Sequence, residues 1–237
     1  MIENSRLGPA QIEMQRLVEP GTFVDSDAES VISFASAALQ SLDGASDKQR
    51  AIRLFDTVRD QIRYDPYRFS ADMHDYRASV VAVADAAFCV PKAILLAACL
   101  RAAGIPAAVG FADVRNHLSS AKLKAAMKTD LFVYHGYVQL WLGDLSYKVT
   151  PAFNTELCER FGVKPLSFDG CSDALFHEFD VNGQRHMEYV NDHGIYEDVP
   201  IEMLLAVYRQ TYPGFSDGAS DLGRADADTA FAASVLK

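Results

Sequence analysis

The 237-residue sequence predicts an α+β protein in which helices come first and an antiparallel sheet follows. Three observations carry that expectation. Apolar residues recur at helical spacing between Val31 and Ile62. The stretch from Phe88 to Pro106 is apolar nearly all round, with Pro91 near its start and Gly104-Ile105-Pro106 at its end. Phe132 to Leu142 alternates like a strand and runs into Gly143-Asp144, a two-residue hairpin turn.

Composition narrows the classes of function. Hydrophobic residues make up 49% and charged residues 23%, enough apolar material for a sizeable core and too much for wholesale disorder. The net charge is −10 and there is no Lys/Arg run, so no nucleic-acid partner is expected. The longest apolar run, Ala93 to Leu100, is too short to span a membrane, and the N-terminus lacks a signal-peptide core. Cys89, Cys99, Cys158 and Cys171 show no CxxC spacing and read as the reduced thiols of a cytoplasmic protein. No cofactor is implied, and His74, His177, His186 and His193 have no metal-ligand spacing.

Taken in order, Asp25 or Ser26 is expected to cap a helix presenting Val31, Phe34, Ala35, Ala38 and Leu39. A second helix starts at Ser46 or Asp47 and carries Ala51, Leu54, Phe55, Val58 and Ile62. Arg63-Tyr64-Asp65-Pro66-Tyr67 is extended or turned, because the residue before a proline avoids the α region. A short helix is expected at Ala78–Ala86. After Pro106, Ala107–Val114 reads as a strand, Arg115-Asn116-His117 as a polar turn and Leu118–Met127 as a short amphipathic helix. The Phe132–Leu142 strand returns as Leu145–Val149, closed by Thr150-Pro151. Turns are expected at Phe168-Asp169-Gly170 and Asn182-Gly183, and a helix from Pro200 through Ile201, Leu204, Leu205 and Tyr208.

The chemistry centres on Cys89, in the first turn of the apolar helix. A helix N-terminus favours the thiolate, which predicts a lowered thiol pKa. Free cysteines also serve as small buried hydrophobes, and Cys99 reads as one. A nucleophilic thiol needs a base. His135 lies within the best strand, and His117 in its polar turn is the runner-up. If Leu142 pairs with Leu145, then Tyr137 faces Thr150 and His135 faces Ala152, with Thr150 diagonal to His135 on the same side. Thr150 or Asn154 would then orient the imidazole. The backbone N–H of Cys89 is the expected oxyanion donor, with Tyr64 or Tyr67 as a second.

Cys89 opening a helix that ends Leu100-Arg101-Ala102-Ala103-Gly104-Ile105-Pro106-Ala107 resembles the core of the transglutaminase-like superfamily of cysteine enzymes. Phe132-Val133-Tyr134-His135-Gly136-Tyr137-Val138-Gln139-Leu140-Trp141 and Lys148-Val149-Thr150-Pro151 are similar to that family's second half. The resemblance covers roughly residues 48–155. It implies a papain-like arrangement, with the nucleophile at a helix N-terminus packed on the antiparallel sheet, Cys89 as nucleophile and His135 as proton acceptor and later donor. One residue departs from the pattern: Thr150 stands where the family usually has Asp, which leaves Thr150 or Asn154 for the third role. The expected organisation is a helical lead-in (1–47), the catalytic core (48–155), an extension packed on it (156–215) and a loose tail (216–237). The implied reaction is acyl transfer from a peptide or protein amide through a Cys89 thioester, released to water or to an amine. The alternatives are a non-catalytic binding or scaffold module of the same fold and a thiol-dependent acyltransferase.

Overall fold

The computed structural model describes residues 13–116, 123, 127–160, 162–175 and 187–212. A 3₁₀ turn at Arg16–Val18 precedes α1 (Glu29–Leu39), α2 (Asp47–Gln61), β1 (Arg63–Tyr64), a 3₁₀ turn at Met73–Tyr76, α3 (Ala78–Val81), β2 (Ala86–Ala87) and α4 (Cys89–Ala102). The sheet strands follow: β3 (Ala107–Asn116), β4 (Leu131–Leu142) and β5 (Leu145–Val149). The chain continues through α5 (Thr155–Arg160), β6 (Met187–Tyr196) and α6 (Ile201–Thr211). Helices first and an antiparallel sheet after is the α+β order expected. His117, most of the 118–127 segment, the Asn182-Gly183 turn and the tail lie outside the described residues.

Local chemistry explains most boundaries. Ser46 caps α2 in a reciprocal capping box with Gln49. Asp25 and Ser26 do not cap α1, which starts after Ala28. The Asp25 carboxylate is buried and accepts from the Ser79 backbone N–H and the Arg77 guanidinium instead. The helix expected at Ala78–Ala86 stops at Val81, and the chain then straightens so that β2 pairs in parallel with β1, Tyr64 opposite Ala87.

The main sheet runs β5-β4-β3-β6, every pair antiparallel. Leu142 pairs with Leu145 across a two-residue turn in which Gly143 has φ +62°, as the hairpin pattern requires. Arg115 and Asn116 are not a turn. They extend β3, Arg115 opposite both Leu131 of β4 and Glu188 of β6. The strand β6 supplies this second partner, and its polar, glycine-containing sequence gave no strand signal.

Helix α4 is the hub. Every residue from Cys89 to Arg101 is buried between α1–α3 and the sheet. The apolar helix therefore has no solvent face to make amphipathic. Its two buried cations are spent on carbonyl groups. Lys92 donates to Arg59 O (2.8 Å) and Ile62 O, closing the end of α2. Arg101 donates to Ala107 O (2.9 Å), Glu19 O (2.8 Å) and Glu197 O. The sheet's other face carries a smaller apolar cluster around Leu17, Ala112, Tyr137, Trp141 and Ile195.

Candidate active site

Phe88, with extended backbone, leads into α4 and leaves Cys89 at the helix's first position. The backbone N–H groups of Gly136, Val90 and Cys89 face the sulfur. Burial is the dominant influence, and it pushes the thiol up to about 11 against those N–H groups and the Lys92 cation. The lowered pKa expected from the helix end is therefore overturned: desolvation of the thiolate outweighs the favourable dipole.

His135 comes to the same place because Gly136 allows it. A Cβ on Gly136 would lie 2.9 Å from Val90 Cα and 3.2 Å from Cys89 O. Strand β4 thus lies directly on the first turn of α4. The imidazole is buried, its Nε2 has no hydrogen-bond partner among the described residues, and burial pushes its pKa down to about 4. At neutral pH the site holds a neutral thiol and a neutral imidazole.

Neither of the two expected orienting groups is hydrogen-bonded to that imidazole. Pairing of β4 with β5 ends at Val138 opposite Val149, and the next residue, Thr150, gives its backbone N–H to Ala174 O (2.8 Å). Asn154 Oδ1 accepts the Tyr64 N–H (3.1 Å). Asn154 therefore tethers β1 to the segment that follows β5. Of the two candidates for a second oxyanion donor, Tyr64 gives its backbone N–H to this bond and Tyr67 gives its own to Asp65 Oδ1 (2.9 Å). Asp169 is exposed in its turn, accepting from the Cys171 and Ser172 N–H groups. Among the described residues, no group of three or more His, Cys, Asp or Glu is placed to hold a metal. No described helix is long and apolar enough to cross a membrane.

Cys89, His135 and Tyr64 line one cavity of about 60 Å³, together with Phe69, Phe88, Phe132, Tyr208 and Tyr212 among others. Thr150 and Asn154 are buried outside its lining. The tyrosines of α6 and its end were missed as site residues. Tyr208 donates to Tyr134 O (3.2 Å), while Tyr212 donates to Leu131 O (3.0 Å) and accepts the Val133 N–H (2.6 Å). The i,i+4 spacing of Tyr208 and Tyr212 at the end of an amphipathic helix was the available signal.

Residues 36–149 match the model of the transglutaminase-like superfamily. No curated protein sequence matches the chain. Among solved structures, the chain is similar to a protein from Cytophaga hutchinsonii provisionally assigned as a cysteine protease, at 14% identity and a TM-score of 0.41. That likeness covers 83% of this chain and only 61% of the other. The segment that runs from α1 through the β4–β5 hairpin, residues 36–149, belongs to the transglutaminase-like superfamily.

Proposed function

We propose that the protein is a cysteine enzyme that cleaves amide bonds through a thioester on Cys89. The observation that carries the reading is the shared cavity: a helix-terminal thiol and a buried imidazole with an unpartnered Nε2 line the same small space. A neutral thiol beside a neutral imidazole is the starting point for general-base attack. The sulfur bonds to the amide carbonyl carbon as its proton passes to His135. The oxygen of the tetrahedral intermediate is met by the backbone N–H of Cys89 at the helix end. The imidazolium then protonates the leaving nitrogen as the C–N bond breaks. Water or an amine attacks the thioester, gives its proton to His135, and regenerates the thiol. The acyl donor is a peptide or protein amide, and hydrolysis is favoured because water is always present.

One reading from another class has its own support. A non-catalytic module of the same fold is favoured by the raised thiol pKa and by an imidazole that neither Thr150 nor Asn154 orients.

Acyl trapping separates the two. The protein would be treated with p-nitrophenyl acetate at neutral pH and the adduct mapped by peptide mass spectrometry. An acetyl thioester on Cys89, lost in His135→Ala and discharged faster by added methylamine, is the expected result. Acetylation of Cys89 no greater than that of exposed Cys171, and indifferent to His135, contradicts the enzyme reading.

A further inference from the structure

We infer that Asp113 is a positioning residue for His135, acting through the backbone of Tyr134. The inference rests on the catalytic reading of His135 proposed above. In the β3–β4 ladder Ala112 faces His135, but Val114 faces Phe132. Val133 and Tyr134 therefore share one partner, Asp113, and β4 bulges immediately before the histidine. The bulge breaks the strand's alternation. Phe132, Val133 and His135 all reach the cavity, which an unbroken strand would not allow.

Tyr134 has φ +52°, a left-handed conformation that is unfavourable for a non-glycine residue. Its surroundings must enforce it, and three contacts do so. Asp113 Oδ1 accepts the Tyr134 N–H (3.0 Å), the Tyr208 hydroxyl donates to the Tyr134 carbonyl (3.2 Å), and the His193 ring stacks on the Tyr134 ring at 3.8 Å and 9°. His193 Nε2 lies 2.8 Å from the same Asp113 oxygen. It occupies a second bulge, on β6, because Phe111 faces Gly194 while Ala112 faces Asp192. One carboxylate on β3 thus ties the bulge at Tyr134 on β4 to the bulge at His193 on β6. Among the described residues the His135 Nε2 has no hydrogen-bond partner, so the direction of the ring is set from the preceding residue.

The test is an NMR pH titration of histidine-labelled protein, with the His135 signal assigned by its loss in His135→Gln. Wild type and Asp113→Asn, whose amide oxygen still accepts the Tyr134 N–H, should titrate alike, well below 6.5. Asp113→Ala should move His135 toward 6.5 by roughly 1 pH unit or more as the ring leaves its buried position. Asp113→Ala/Tyr134→Gly should restore the low value, because glycine adopts positive φ without the carboxylate. If Asp113→Ala does not fold, the double variant decides: a folded protein with the wild-type titration supports the role, and any other result overturns it. An Asp113→Ala titration identical to wild type also overturns it. Acyl trapping runs separately, so a failure there with these shifts intact removes the catalytic reading and leaves the Asp113 pin standing.

Discussion

Gly136 and Val90 meet backbone to backbone: a methyl group added to Gly136 would stand 2.9 Å from Val90 Cα. This contact joins the strand that carries His135 to the helix that carries Cys89. Gly136→Ala must therefore push α4 away from β4. The expected cost is about 1–3 kcal/mol in urea unfolding, as for other overpacked interiors. The variant should also slow the modification of Cys89, because the Gly136 N–H that faces the sulfur moves with the strand.

His135 makes stability depend on pH in a defined window. Its folded pKa is lowered, from 6.5 to about 4. Between those values the unfolded chain binds a proton that the folded chain refuses, so stability falls as pH drops from 6.5 toward 4. In urea titrations across that range, His135→Gln should show a shallower acid slope than wild type. An unchanged slope would mean that the imidazole is hydrated.

Lys92 predicts a second window on the alkaline side. Burial lowers its pKa from 10.5 to about 7. The unfolded chain keeps its proton up to 10.5 while the folded chain releases it near 7, so this group makes stability rise with pH between the two. Lys92→Met should remove that rise. Below pH 7 the methionine removes a buried charge but leaves the Arg59 and Ile62 carbonyls without their donor, and unfolding midpoints at pH 6 and pH 9 measure the difference.

The burial of α4 sets the scale for core substitutions. Leu96 is fully buried in the middle of the helix, and Leu96→Ala should cost about 2–5 kcal/mol by opening a cavity. Leu145, exposed at the β4–β5 turn, should tolerate alanine within about 0.5 kcal/mol. Comparable losses at both positions would contradict the packing described.

Much of this fold was legible because local and tertiary preferences agree. Ser46 and Gln49 write the start of α2, the predominantly apolar composition of α4 writes its burial, and Gly143-Asp144 writes the hairpin register. The errors fall where long-range contacts override local chemistry. Asp25 looks like a cap but is claimed by Ser79 and Arg77. β2 is two alanines whose strand form exists only because Tyr64 lies alongside. At the site, the positions of Cys89 and His135 were readable from residue type and order. Their electrostatics were not, since the cavity around Cys89 is lined by Tyr208 and Tyr212, more than 100 residues away in sequence. The bulge at Tyr134 was equally hidden, because the contacts around it come from Asp113, His193 and Tyr208 on other elements.

The most direct test is the rate of Cys89 alkylation by iodoacetamide against pH, read by peptide mass spectrometry in wild type and His135→Gln. With the thiol near 11 and the imidazole near 4, general-base assistance should give wild type a level plateau between about pH 5 and pH 9, rising only toward 11. Cys89 should react faster than Cys99 throughout that plateau. His135→Gln should lose the plateau and keep the alkaline rise. Superimposable profiles, with Cys89 as slow as Cys99 at neutral pH, would contradict a Cys89–His135 couple and leave the fold as a binding module.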